Sequence, residues 1–409
     1  MKIKFKDSIL KTLGFFEVLD VIKFESDLKS NDFVVFEDSQ DTIDFLNKSY
    51  HFEYIKLMFN NKPEKFGVKK YYKDLDIEVK LCVSGLNISI DKIKIYIFND
   101  SFKDSQTCIY TINYSSKSNI IIDFSNILNS VKNPESKVIY KNEEISIGNL
   151  IEKFLKKELL NENSAITQYA GFKFKHYVIL DFDNEVINRD ELLFELGTDS
   201  KIGSISEKDL DSPSLSYKSK VLEQKISCFN NYECLTLLDS FTVVGSQNYD
   251  SLNAHNYNTW DNIYFSLYVF NLYLKSSLQT LSNEFTDDPL KKRKEFKSFY
   301  NKYFFKKVSF NFLPNEIYKG IYNSLEIGED LEFIQERLET LAVQMNERQQ
   351  KQTNLVLFVI SIIALLETPL HIEGIRTIIG VNSVITYNSV VYFLLVFSIV
   401  IFLYKSLRK

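Results

Sequence analysis

Apolar residues near the C-terminus recur at alternating spacings of four and three, the heptad pattern of a helix that packs against other helices. They are Ile327, Leu331, Ile334, Leu338, Leu341 and Met345. No proline interrupts the chain between Pro314 and Pro369. The pattern predicts one stalk helix from about Glu329 to Leu366, roughly 55 Å long at 1.5 Å per residue. A helix of that length needs neighbours, so we predict self-association.

Two apolar segments at the end of the chain predict a transmembrane hairpin, the first over about 354–375 and the second over about 384–404. The second is long enough for the hydrocarbon core of a bilayer, about 30 Å thick. The apolar part of the first, Asn354–Leu366, is shorter, so either the helix ends near Pro369 or its polar residues face water. A membrane-dipping anchor without a pore is the alternative.

Basic residues flank this hairpin on both sides, which favours cytoplasmic placement of both termini. The expected location is therefore the inner or plasma membrane of a prokaryote, crossed more than once. The segment Met1–Asp20 lacks the continuous apolar core of a signal peptide, which agrees with a cytoplasmic body. The four cysteines have no C-x-x-C spacing, so we interpret them as small buried residues in a reducing compartment.

A polar face follows the stalk helix on the side opposite its apolar residues. Its acidic members are Glu336, Glu339 and Glu347, and its members in the apolar segment are Asn354, Ser361 and Thr368, spaced by seven. In a ring of identical subunits this face would line an axial pore, with carboxylates that concentrate cations. The alternative is a solvated face whose hydroxyls bond to the preceding turn.

The first 250 residues predict a mixed α+β body. Asn87–Asn99 alternates apolar and polar residues, which predicts a half-buried strand. Further strands are predicted over Thr107–Tyr114, Asn119–Phe124 and Phe174–Asp181, and helices over Asn149–Leu160 and Arg189–Leu196. Ser204–Lys220 is rich in serine and contains Pro213, which predicts an exposed loop.

These patterns predict an α+β cytosolic domain followed by a long stalk helix and a two-helix transmembrane hairpin. The predicted domains are a cytosolic α/β domain over 1–255, a helical region with the stalk helix over 256–352, and the hairpin with a basic C-terminal tail over 353–409. Within the helical region the pattern is aromatic from Trp260 onward and basic over Lys291–Lys307. That basic stretch favours a position near phosphate headgroups or, alternatively, a solvated helix face.

Over about Glu329–Lys409 the chain resembles the CorA-type superfamily of divalent-cation channels, which share this topology. The Gly-Met-Asn signature of that family is represented here by Gly380-Val381-Asn382, with valine in place of methionine. The resemblance implies a homo-oligomer, a pentamer, that conducts Mg²⁺ under the control of its cytosolic domain and is not an enzyme. It also implies that Asn382 contacts hydrated magnesium, with Glu373 as an acidic ring nearby.

Divergent CorA-like proteins also occur beside type III CRISPR and other antiviral defence genes. Resemblance to that group implies, as the alternative function, a membrane effector activated by a small nucleotide. Both functions imply self-association and a lipid bilayer as partner. With 49 basic and 54 acidic residues and a net charge of −5, direct binding of nucleic acid is not expected.

Two motifs in the body suggest chemistry. A hydrophobic strand ends in Asp181-Phe182-Asp183, which resembles the first motif of haloacid-dehalogenase-type phosphatases, although Glu185 stands where that motif has threonine. Catalysis, a site for a metal ion such as a regulatory Mg²⁺, and a strand ending in a turn are the alternatives. The second motif, Asp250–Trp260 with His255, clusters polar and aromatic groups that suit stacking on a nucleobase or form an ordinary loop.

Overall fold

The computed structural model describes residues 3–60, 67–99, 106–155, 173–183, 188–198, 200, 202–203, 213–246, 259–283, 289–379 and 397. The chain divides into two compact units, Met1–Ile334 and Gln335–Lys409. Contacts within the chain define these two units, and they do not test the sequence-based domain boundaries after residues 255 and 352. Those boundaries stay predictions.

One mixed sheet dominates the first unit and contains eleven strands of the described residues. They are β1 (Asp7–Val18), β2 (Val34–Val35), β3 (Gly67–Leu81), β4 (Asn87–Asn99), β5 (Gln106–Ser115), β6 (Lys137–Tyr140), β7 (Glu143–Ser146), β8 (Lys175–Phe182), β9 (Ile226–Phe229), β10 (Tyr232–Leu237) and β11 (Ser240–Ser246). Their order is β7-β6-β3-β4-β5-β1-β8-β11-β10-β9, with β2 paired to β3. Of these pairings, β8 with β11 is parallel and the others are antiparallel.

Helices connect and cover these strands. They are α1 (Val21–Ser30), α2 (Gln40–Ser49), α3 (Phe52–Met58), α4 (Ile121–Val131), α5 (Ile147–Leu155), α6 (Arg189–Gly197), α7 (Leu215–Leu222), a π-helix (Thr259–Tyr264), α8 (Phe265–Asn283), α9 (Pro289–Tyr303), α10 (Phe312–Ser324) and α11 (Ile327–Ile379). The π-helix runs directly into α8, and α10 is joined to α11 by the two residues Leu325 and Glu326.

Residue alternation along β4 gives the sheet two differently covered faces. The odd-numbered isoleucines from Ile93 to Ile97 point into the main hydrophobic core, which also contains buried residues of α4, α5 and α6. The even-numbered residues from Lys92 to Phe98 point to the opposite face. There Phe98 stacks on Tyr273 of α8, with ring centroids 3.9 Å apart. Helix α8 therefore covers this face at Phe98, whereas Lys92 and Lys94 are half-buried.

The long helix is confirmed, and α11 continues through Pro369 to Ile379, so of the two alternatives the helix end near Pro369 is wrong. In the first unit, Lys275 of α8 pairs with Asp330 at 2.9 Å and Ile334 is fully buried. In the second unit, apolar side chains between Leu355 and Ile360 are exposed.

The transmembrane hairpin in the predicted fold class is wrong for the residues that the structure describes, where no helix is long and apolar enough to cross a membrane. The apolar run Asn354–Leu366 spans only about 20 Å before polar residues follow, less than the hydrocarbon core requires. The same finding overturns the predicted membrane, channel and ion-transport character. It also overturns the predicted multi-pass localisation. Apart from Phe397, the predicted second span 384–404 lies outside the described residues.

Most of the predicted strands are confirmed, since Thr107–Tyr114 and Phe174–Asp181 correspond to β5 and β8. The strand predicted over Asn119–Phe124 is wrong, because helix α4 begins at Ile121. Part of the loop predicted over Ser204–Lys220 is also helical, since α7 begins at Leu215; residues 204–212 lie outside the described residues.

Candidate functional site

A pocket of about 290 Å³ opens in the first unit between the β9–β10 hairpin, the π-helix and the beginning of α10. Its lining residues are Phe229, Asn231, Tyr232, Thr259, Trp260, Tyr264 and Leu313. Four of these side chains are aromatic and none is charged. The volume lies at the lower end of the range for small-molecule sites, so the pocket suits one small planar group.

The β9–β10 hairpin supplies one wall. A two-residue turn, Asn230-Asn231, joins the strands and pairs Phe229 with Tyr232. Asparagine is favoured in such turns because its short side chain bonds to nearby backbone. The rings of Phe229 and Tyr232 lie 5.8 Å apart, so a tight turn places two aromatic side chains and one amide at the same point.

The π-helix supplies the opposite wall. Its wide turn brings the rings of Trp260 and Tyr264 to 4.6 Å, edge to face, and Trp260 meets Tyr232 at 5.3 Å. The Tyr177 hydroxyl of β8 donates to the Trp260 carbonyl oxygen at 2.7 Å, which holds this turn against the sheet. Single π-turns are rare and frequently occur at functional sites, so this geometry supports a functional interpretation of the pocket.

Two polar atoms at the pocket lack partners. Tyr232 Oη and Asn231 Oδ1 are buried and have no hydrogen bond to any residue in the described part of the chain. A buried polar atom without a partner costs about 1–3 kcal/mol. Burial raises the pKa of Tyr232, and also that of Tyr264, so both phenols stay protonated at neutral pH. Tyr232 therefore carries a donor, and Asn231 an acceptor, that no described residue satisfies.

The pocket combines aromatic surfaces for stacking with one unpaired donor and one unpaired acceptor. None of its lining residues is charged. A nucleobase matches this set, because it has two flat faces for aromatic contact and an edge with both donors and acceptors. The lining residues offer no nucleophile paired with a general base, so binding is the chemistry that this arrangement suits.

The Asp181–Asp183 pair lies at the end of β8, a central strand between β1 and β11. Burial raises the pKa of Asp181; Lys6 opposes that shift, whereas Asp7 and Asp183 add to it. Asp183 is exposed. Among the described residues, no group of three or more histidine, cysteine, aspartate or glutamate side chains is placed to hold a metal ion. The Mg²⁺ role of this pair stays a prediction.

The residues predicted to line a pore lie along α11, where Glu336, Glu339, Glu347 and Asn354 are exposed. The Ser361 hydroxyl donates to the Leu357 carbonyl oxygen at 2.8 Å, as expected for a hydroxyl that bonds to its own preceding turn. The backbone of Thr368 and Glu373 is helical. Gly380, Val381 and Asn382 lie outside the described residues. A single chain does not test a pore between subunits.

Sequence reasoning found only part of the pocket. Trp260 was identified in its polar and aromatic cluster, and His255 of that cluster lies outside the described residues. Phe229, Asn231, Tyr232 and Leu313 were missed, because they come from a hairpin and a helix that are distant from Trp260 in sequence. The one local signal was the Phe-Asn-Asn-Tyr segment, an aromatic pair around a turn.

Comparisons of the chain with protein-family models, with curated proteins and with solved structures find no match. The similarity to CorA-type proteins therefore rests on the C-terminal pattern alone and stays a prediction.

Proposed function

We propose that this protein binds a small nucleotide, stacks its base in the aromatic pocket, and responds through helix α11, on which copies of the chain associate. The observation that carries the proposal is the pair of buried, unpaired polar atoms at an aromatic pocket. If the edge of a base forms hydrogen bonds with Tyr232 Oη and Asn231 Oδ1, these atoms gain the partners that they lack in the free chain.

A short connection supports transmission from the pocket to α11. Leu313 of α10 lines the pocket, and the ring of Phe312 lies 5.8 Å from that of Phe229. Gly320 of α10 approaches Ile226 of β9 so closely that a Cβ atom would not fit between them. Because α10 passes into α11 after only two residues, a shift of the pocket wall would reach the start of α11 directly.

Self-association is supported by the exposed apolar surface of α11. Val343 and the apolar residues from Leu355 to Ile360 are between 47% and 58% exposed, apart from Phe358, which is half-buried. Apolar surfaces of this kind mark interaction sites. The heptad residues that precede them favour a second copy of this helix as the occupant. Since the segment is apolar on all sides, one neighbour covers only part of it, which favours more than two copies.

The proposal is tested by calorimetric titration of the full chain with the four common nucleoside 5′-monophosphates, using Tyr232→Phe as the variant. We expect one of them to bind and the variant to bind it about 2- to 10-fold more weakly, the effect of one neutral hydrogen bond. The unfolding free energy of the free variant should stay equal or rise, because an unpaired buried hydroxyl is removed.

Tyr217→Phe is the matched control, because this tyrosine is exposed on α7 and outside the pocket. It should bind as the parent chain does. Equal affinity of Tyr232→Phe and the parent chain, or no saturable binding of any nucleotide to the folded protein, would reject the proposal.

Of the two functions that the resemblance implied, the response to a nucleotide is the one that the pocket supports. A role in antiviral defence stays a prediction, and the described residues offer no observation that supports transport of a divalent cation.

A further inference from the structure

Three lysines from three strands lie on the sheet face that α8 covers. Lys11 belongs to β1, Lys70 to β3 and Lys94 to β4. Lys11 and Lys70 are almost fully buried, and both lie close enough to Lys94 to lower its pKa. We call these three residues the lysine cluster. Lys94 is half-buried. Three like charges on a largely covered surface are unusual, because lysine is almost never buried without a partner.

Two of the three ammonium groups have carboxylate partners. Lys11 Nζ lies 2.9 Å from Asp261 of the π-helix, and Lys70 Nζ lies 2.6 Å from Asp38. The Asp38 side chain is 1% exposed, so its pair with Lys70 is a buried ion pair. The two carboxylates neutralise the charges of Lys11 and Lys70.

Lys94 is different, because no carboxylate among the described residues forms an ion pair with it. Its Nζ instead lies over the ring of Phe36, 3.4 Å from the centroid, and 5.7 Å from the ring of Tyr96. With all groups ionised, the cluster holds three positive charges against the two negative charges of Asp38 and Asp261. One positive charge is in excess.

Two segments pack over the lysine cluster, the one between β2 and α2 and the one formed by the π-helix and the start of α8. Phe36 and Asp38 lie on the segment between β2 and α2, and Asn262 Nδ2 of the π-helix donates to Asp38 Oδ1 at 3.4 Å. Lys11 Nζ lies 3.9 Å from the centroid of Phe265, at the start of α8. Lys94 itself is half-buried, so the excess charge lies beside the ring of Phe36 and stays open to solvent on one side.

A half-buried ammonium group without a carboxylate partner is costly. Burial lowers the pKa of Lys94 well below its usual value of 10.5, the neighbouring Lys70 and Lys11 lower it further, and Asp38 and Asp261 oppose them only in part. Burial also raises the pKa of Tyr96, so this neighbour stays a neutral phenol. A bound anion would supply the missing negative charge and satisfy the donors of Lys94.

We propose that the lysine cluster binds an oxyanion, with a phosphate group as the best match and Lys94 as the principal contact. Ammonium groups on three strands of one sheet face suit a tetrahedral anion that accepts hydrogen bonds in several directions. The site is separate from the aromatic pocket, which none of the three lysines lines. The π-helix connects them, since Trp260 faces the pocket and Asp261 pairs with Lys11.

The test is calorimetric titration of the full chain with inorganic phosphate, using Lys94→Met and the exposed Lys117→Met as matched control. We expect saturable binding to the parent chain and to Lys117→Met, and at least about tenfold weaker binding to Lys94→Met, the effect of one charge-assisted hydrogen bond. If Lys94→Met does not fold, Lys94→Gln removes the charge and keeps a polar end.

A second measurement needs no variant. Because the pKa of Lys94 is lowered in the free protein, phosphate binding should take up protons and should weaken as the pH rises toward 10.5, a range in which the phosphate dianion no longer titrates. The groups that face Lys94 and share this response are Lys11, Lys70, Asp38, Asp261 and Tyr96. Titration in two buffers of different ionisation enthalpy measures the uptake.

Equal phosphate affinity of Lys94→Met and the parent chain, or no saturable binding to the folded parent chain, would overturn the proposal. A nucleoside 5′-monophosphate identifies the source of the oxyanion. If Lys94→Met weakens phosphate and nucleotide alike, the phosphate belongs to a nucleotide; if it weakens phosphate alone, the site takes a free oxyanion. Both results support the oxyanion site, whatever the fate of the aromatic pocket.

Discussion

Lys94 shows how position decides the properties of a side chain. On an open strand it would be an ordinary solvated lysine, but here Phe36 lies over its ammonium group and Lys70 and Lys11 lie nearby. Its charge is therefore a cost to the folded state in the absence of a ligand. This gives Lys94 a signature in stability that is independent of any binding experiment.

We predict that Lys94→Met raises the unfolding free energy of the free protein at pH 7 by about 1 kcal/mol. The folded pKa of Lys94 is lowered, so between that pKa and 10.5 the unfolded chain binds more protons and stability rises with pH. The variant lacks this contribution, and its stability should rise less steeply. Denaturant unfolding at pH 7 and pH 9.5 measures both effects.

Lys117→Met, which changes an exposed lysine, should match the parent chain at both pH values. A Lys94→Met protein that is less stable than the parent by the same margin at both pH values would show that Lys94 is an ordinary structural lysine.

Single residues were predictable from the sequence only where neighbours along the chain carry the signal. Trp260 was identified because polar and aromatic residues precede it. The lysine cluster was not, because Lys11, Lys70 and Lys94 come from separate strands and alternation places the lysines of β4 on a polar face. Tyr96 and Phe98 share that face and were the available indication that it is covered.

Strands and helices were predicted well where their apolar residues recur with the period of that structure. Strand β4 has the predicted bounds Asn87–Asn99, and α6 extends the predicted helix by one residue to Gly197. Helix α4 was predicted as a strand because its first residues are β-branched. Its buried residues Ile121, Phe124, Ile127, Leu128 and Val131 recur at helical spacing, and this longer pattern outweighs local propensity.

Helix α11 was predicted from its heptads, but its end was not, because a proline can be accommodated within a long helix when its surroundings compensate. The apolar run was interpreted as a membrane span from its composition. The described helix does not meet the requirements of a span. Its exposed apolar residues still need cover, and we have proposed copies of the same helix as that cover.

We predict that Ile360→Glu disrupts self-association, because it would place a charge in the proposed apolar contact between copies. The dissociation constant should rise by at least about 100-fold, since an unpaired buried charge costs several kcal/mol. Sedimentation velocity over a range of concentrations measures this change. Thr353→Glu is the control, because Thr353 is exposed and polar on the same helix.

A parent chain that stays monomeric, or an assembly of unchanged size in Ile360→Glu, would contradict the prediction. Binding of the monomeric protein to phospholipid vesicles through its apolar segment would contradict the prediction as well.

At the scale of the whole molecule, the π-helix and α10 connect the sites described above. The π-helix contributes Trp260 to the pocket and Asp261 to the lysine cluster, and α10 leads from the pocket wall to α11. A ligand in the pocket can change assembly only as far as it binds one arrangement of these elements better than another. Sequence patterns could not predict this connection, because it depends on contacts between elements distant along the chain.

The most direct measurement uses the single tryptophan of the chain, which lines the pocket. We predict that a nucleoside 5′-monophosphate quenches Trp260 fluorescence saturably, because the base stacks on the aromatic wall. In Tyr232→Phe the same quenching should need about 2- to 10-fold more nucleotide. If the emission of Trp260 does not change while the folded protein is titrated with all four nucleotides, the central claim is contradicted.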